Sequence, residues 1–156
     1  MIKRHSILFT IFFTVVLLLV IHSLFMHNKK LPWQIKESLI NNIYANADIL
    51  FLIDDNSLTD IGCCYCINNS SDNSIYFDEV YYIQIWSNKE WNSIVVDASF
   101  PAIDSCIPSK GVYKKDIVWE HLYGKLPAGK YRLLVPFRLN KDDLYSRYYL
   151  STEFSI

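Results

Sequence analysis

Hydrophobic and polar positions change period along this chain. From Ile7 to Met26 almost every position is apolar, with no alternation. From Ile49 onward, short apolar runs are separated by clusters of Asn, Asp, Ser and Gly. Ile49-Leu50-Phe51-Leu52-Ile53, closed by Asp54-Asp55-Asn56, predicts a strand, and Gly62 to Ile67, closed by Asn68-Asn69-Ser70-Ser71, predicts the next. Ile75 to Phe77 continues into Tyr81 to Trp86. After Ser87-Asn88-Lys89-Glu90 the chain returns through Trp91 to Val96, which predicts a hairpin with aromatics on both arms. Val112 to Trp119 can pair, and His121 to Gly124 makes a bend or a single helical turn. Tyr131, Leu133 and Val135 fall on one strand face, with Arg132 and Leu134 on the other. Tyr148 to Ile156 alternates throughout, as a strand with one wet face does.

Prolines and spacing complete the pattern. Pro101 and Pro108 make Phe100 to Gly111 irregular, and Pro136 ends pairing or forces a bulge. Ile35, Leu39 and Ile43 repeat every four residues behind Pro32, so residues 31–48 read as a stem, either a short helix or an extended linker. About seven short strands with frequent turns predict an all-β, immunoglobulin-like antiparallel sandwich over residues 49–156.

The apolar stretch is long enough to matter by itself. A spanning helix needs roughly 20 mostly apolar residues to cross about 30 Å of hydrocarbon, and Ile7 to Met26 supplies them. Lys3 and Arg4 precede the run, favouring a cytoplasmic N-terminus. A cleaved signal peptide is the competing reading, but no Ala-x-Ala follows the core. Residues 1–30 are therefore expected to be a single-pass signal anchor, with the C-terminal domain outside the cytoplasm.

Charge narrows the partners. The residues after Lys30 hold 11 of the 15 basic residues and all 16 acids, a net charge of −5. That balance argues against nucleic acid, which calls for clustered Lys and Arg. Eleven Tyr and four Trp are first of all strand composition; their sharper reading is an aromatic binding face.

Leu126-Pro127-Ala128-Gly129-Lys130 precedes Tyr131. Pro127 fixes φ and Gly129 permits positive φ, so the chain can reverse tightly. A Tyr just after such a turn is similar to the tyrosine corner of Greek-key sandwiches, in which the hydroxyl bonds back to upstream backbone. Leu126, Gly129 and Tyr131 are thus expected to be structural.

Trp119, then Leu122-Tyr123, then Leu126-Pro127-Ala128-Gly129-Lys130-Tyr131-Arg132, then a closing strand ending Phe154-Ser155-Ile156, make a recognisable order. So do Ile67-Asn68-Asn69-Ser70, the aromatic stretch Tyr81 to Trp91, and Phe100-Pro101-Ala102. On these residues the chain resembles the bacterial immunoglobulin-like domains of surface or membrane-attached proteins of Gram-positive bacteria, over roughly Ile49 to Ile156. The resemblance implies a module outside the cytoplasm and brings no catalytic residues; Trp119 and Phe154 are expected to be structural. The chain departs from the family in its four cysteines.

No residue set identifies a reaction. Cys63 and Cys66 have C-x-x-C spacing, but a redox pair wants its first Cys at a helix N-terminus, and this one lies in a strand. A zinc site from Cys63, Cys64, Cys66 and Cys106 fits poorly, because zinc ligands come in separated pairs. In an oxidising place a structural disulfide from Cys106 to Cys64 or Cys66 is the simpler expectation. His121, with Asp104 and Ser105, lacks a nucleophile elbow. Asp54-Asp55 and Asp142-Asp143 read as solvated turns rather than Ca²⁺ ligands, and Asn69-Ser70-Ser71 is only formally a glycosylation acceptor. No catalytic, cofactor-binding or metal residues are assigned. The expectation is a membrane-anchored extracytoplasmic module with a non-catalytic binding, adhesion or structural role. It would meet the membrane through its N-terminal helix and a protein or cell-envelope partner through its domain. The competing reading is a small enzyme, redox or metal-binding protein built on the four cysteines.

Overall fold

A computed structural model describes residues 31–100, 104–143 and 146–156. The transmembrane segment expected in residues 1–30 lies outside them. Among the described residues no helix is long and apolar enough to cross a membrane. The strands are β1 (Trp33–Glu37), β2 (Ile49–Ile53), β3 (Gly62–Asn69), β4 (Ile75–Asp78), β5 (Tyr82–Ser87), β6 (Glu90–Val96), β7 (Asp104–Ile107), β8 (Val112–Val118), β9 (Lys130–Arg138) and β10 (Tyr148–Ser155), with one helical turn, α1 (Glu120–Tyr123). They form two antiparallel sheets, β2-β3-β8 and β1-β6-β5-β9-β4-β7, with β10 on β9.

Side chains sort by strand parity. Cys63, Tyr65 and Ile67 of β3 face inward with Ile49 and Phe51 of β2 and Ile117 of β8. Ile83 of β5, Tyr131, Leu133, Val135 and Phe137 of β9, and Leu150 and Phe154 of β10 meet them from the large sheet. Each fully buried aliphatic or aromatic side chain contributes about 1.5–3 kcal/mol through burial. Trp119 joins the two layers. It stacks on Phe154 at 5.5 Å, Phe154 stacks on Tyr131 at 5.5 Å, and the Trp119 indole N–H donates to the Asp60 carbonyl at 2.9 Å.

Four local expectations are corrected. First, the stem is part of the domain. Trp33–Glu37 is a strand on β6, and Tyr149 bonds to both Asn42 and Tyr44. The four-residue repeat of Ile35 and Leu39 is not a buried stripe, since both are exposed. Residues 38–42 instead pass from the β6 edge to β10 across the outer face of the large sheet.

Second, Asp104–Ile107 pairs with β4, although that region was expected to be irregular. With β1, this raises the strand count above seven. Third, β9 runs straight through Pro136. Tyr149 turns its N–H and C=O away from Pro136 toward residues 42–44, so the Pro136 nitrogen points to the opposite side of β9. There β4 and β5 lie end to end. Five steps from Phe77 to Tyr82 match only three from Phe137 to Leu134, so the chain bulges by two residues. The missing N–H falls at that break, where the ladder asks for none.

Fourth, Gly129 is not at positive φ; among the described glycines only Gly124 is. A Cβ on Gly129 would sit 3.2 Å from the Tyr131 ring. The glycine leaves room for that ring, and its N–H and C=O pair with Ile156.

Candidate functional site

The outer face of the large sheet carries the most developed surface. Ser87 pairs with Glu90 across Asn88 and Lys89, whose φ values of 55° and 68° are those of a two-residue hairpin turn. This turn sets Trp86 directly opposite Trp91. Their rings lie 5.2 Å apart at 65°, and Trp86 is 43 % exposed. The Lys130 ammonium sits 5.8 Å from the Trp86 ring and 5.5 Å from the Trp91 ring, and the Arg132 guanidinium is 4.6 Å from Trp91. Lys130 also pairs with Glu153 at 2.7 Å.

Beside the indoles runs a polar line. The registers place Glu153 by Arg132, Arg132 by Gln84, Gln84 by Ser93 and Ser93 by Lys36, one residue from each of five strands. Gln84 is fully buried. Its Oε1 accepts from Arg132 Nε at 2.9 Å and from Arg132 Nη2, and its Nε2 donates to the Ser38 hydroxyl at 2.5 Å. Gln84 is thereby held from both sides, and it orients Arg132 across the face. Burial lowers the Arg132 pKa, opposed by the nearby Glu153 carboxylate. Next to this line, Leu39, Ile40, Tyr82 and Tyr149 help to line a mainly apolar groove of about 470 Å³.

The sheets meet in a second polar cluster. Glu79, in the break between β4 and β5, accepts from Lys115 and from the Tyr113 hydroxyl at 3.1 Å, both on β8, and from the Ser105 hydroxyl at 3.1 Å on β7. The Lys115 bond, helped by Ser105 and Tyr113, holds the Glu79 carboxyl below its ordinary value against the opposing push of burial. The cluster joins the layers at their rim and leaves Glu79 fully engaged.

The expected structural residues fall into two groups. Trp119, Leu126, Tyr131 and Phe154 are buried together at one end of the sandwich. The Tyr131 hydroxyl donates to the Pro127 carbonyl at 2.7 Å, with Gly129 beneath the ring. Cys64, Cys66 and Cys106 do not come together. Cys64 and Cys66 are on the outer side of β3, opposite Asp116 and Lys114, while Cys106 is exposed on β7 of the other sheet. The core, about 10 Å thick, lies between those layers, beyond the ~4.4–6.8 Å Cα separation that a bridge permits. All four cysteines are free, so the expected Cys106 disulfide is overturned.

Two of these thiols, Cys63 and Cys64, are held toward the protonated form. Burial, with Cys64 and Asp116 beside it, pushes Cys63 up to about 12. Burial and a hydrogen bond with Asp116 raise Cys64. The nucleophile and the metal ligand are thiolates, and this environment opposes both. Among the described residues no three His, Cys, Asp or Glu side chains converge as a metal site would need. His121 is exposed in α1. Asn69 is fully buried, with its amide donating to the carbonyls of Asn73 at 2.8 Å, Pro108 at 3.0 Å and Ile107 at 3.3 Å. Nothing of it is left for a glycan.

The Trp86–Trp91 face escaped a reading by residue type because alternation places Trp86 without saying which sheet face is wet. The usable signal was Ser87-Asn88-Lys89-Glu90, whose two-residue turn forces the indoles opposite each other. A family model described as a bacterial Ig-like domain matches residues 46–155. No curated protein matches the chain.

Proposed function

We propose that this chain, which belongs to the bacterial Ig-like domain family, is a non-catalytic binding module held outside the cytoplasm by its N-terminal segment. The contact surface is the outer face of the large sheet around Trp86. The observation that carries this reading is the half-exposed Trp pair. Exposed aromatic surface rimmed by polar and charged side chains is the mark of an interaction site. Domains of this family are in general not enzymes, and burial raises the Cys63 and Cys64 thiols away from the reactive thiolate. Support for the anchor is the apolar run Ile7 to Met26 behind Lys3 and Arg4. A cell-envelope component is the partner such a location supplies.

The test uses the full chain in the cells that make it. Carbonate-washed membranes should retain the protein, and protease added to intact cells should remove its domain. Purified envelopes should bind the full chain more weakly when Trp86→Ala is introduced. Release from washed membranes, protection from protease, or equal binding by the variant would refute the corresponding part.

A further inference from the structure

We propose that the ligand of the Trp86 face is a polysaccharide chain of the cell envelope, a proposal that rests on the binding reading above. Two parallel rows define the site. One is aromatic, Trp86 and Trp91, tilted 65° to each other. The other is the accessible end of the polar line, Glu153 of β10 and Arg132 of β9, since Gln84 is fully buried under Ser38. An extended polymer lying across β10, β9 and the end of the β5–β6 hairpin can touch the indoles on one side and Arg132 and Glu153 on the other.

The chemistry selects among polymers. A pyranose ring has a face of C–H groups and an equator of hydroxyls that both donate and accept. The C–H face is positively polarised, and the indole faces attract positive charge, as the ammonium of Lys130 already demonstrates. The equatorial hydroxyls find an acceptor in Glu153 and a donor in Arg132. Arg132 is set in place by buried Gln84, so little of its freedom remains to be lost on binding.

A polyanion matches less well, because it meets a body of net charge −5 whose Lys130 is already spent on Glu153.

The experiment measures binding of the full chain, kept soluble in a detergent without a sugar headgroup, to envelopes from its own cells. Three preparations are compared: intact envelopes, their lipid extract, and the delipidated, protease-digested polysaccharide. The polysaccharide should retain the binding of intact envelopes. Trp86→Ala and the strand-compatible Trp86→Thr should each weaken it at least tenfold, and Glu153→Gln severalfold. Leu52→Asp, on the opposite outer face, should leave it unchanged, and circular dichroism should confirm that each variant is folded. Trp86-dependent binding that disappears on protease digestion, or that follows the lipid extract, would overturn the polysaccharide while leaving the binding module standing. Binding indifferent to Trp86 in all three preparations would remove both.

Discussion

The Tyr131 hydroxyl donates to the Pro127 carbonyl at 2.7 Å, four residues upstream, and closes the turn that feeds the central strand β9. That single bond ties the Leu126–Gly129 turn to the core, where the Tyr131 ring stacks on Phe154. Tyr131→Phe keeps the ring and removes the bond. The expected loss is about 1 kcal/mol, the net worth of an internal hydrogen bond, read as a lower denaturation midpoint with an unchanged slope. A midpoint equal to the parent's would mean that the corner bond contributes nothing.

Phe154 should matter more than Tyr131's hydroxyl. It stands between Trp119 and Tyr131, and truncation leaves a cavity between two large rings. Phe154→Ala is expected to cost about 3–5 kcal/mol. Thermal unfolding measures it, and a loss near zero would show that the ring stack does not hold the layers together.

Glu79 links stability to acid. Its carboxyl titrates below the ordinary value of 4.5, chiefly because Lys115 bonds to it. A lowered folded-state pKa contributes stability that is fully present above the ordinary value. That stability is lost as pH falls through the folded one. Glu79→Gln should therefore destabilise the protein at pH 7, by about 1–2 kcal/mol, and the difference should shrink by pH 3. Urea midpoints at the two pH values provide the check, and a gap that widens in acid would contradict the sign.

The thiols should react in order of exposure. Cys106 is exposed, Cys64 and Cys66 are half-buried, and Cys63 is buried with its pKa pushed up to about 12. Alkylation followed by mass spectrometry should label Cys106 first and Cys63 last, with all four available after unfolding without reductant. A pair recovered only after reduction would restore the disulfide that the geometry rejects.

Strand order along the chain was legible where alternation meets a clear stop. The runs from Ile49, Gly62, Val112 and Tyr148 all became strands within a residue or two of their expected limits. The alternation of β3 follows the same rule: Cys64 and Cys66 share one side, and Cys63 takes the other. What alternation does not encode is which sheet a strand joins, so a bridge from Cys106 to Cys64 or Cys66 is expected across layers it cannot span. Trp33 to Glu37 was misread because four of its five residues are exposed, leaving Ile35 and Leu39 to mimic a helical stripe. Pro136 and Gly129 obey rules that depend on distant partners. One needs the break between β4 and β5, and the other needs the Tyr131 ring. The Trp86 face was expected only as a general aromatic surface, since its polar line exists solely in the registers of five strands.

The most direct test of the account places a photoreactive residue on each outer face of the full chain in living cells. Ser155 is exposed beside Lys130 at the Trp86 site, and Leu52 is 56 % exposed on the outer side of the small sheet. Cross-linking from position 155 to envelope material, abolished by Trp86→Ala and absent from position 52, is the predicted result. Cross-links from position 52 alone, or from position 155 regardless of Trp86, would contradict it.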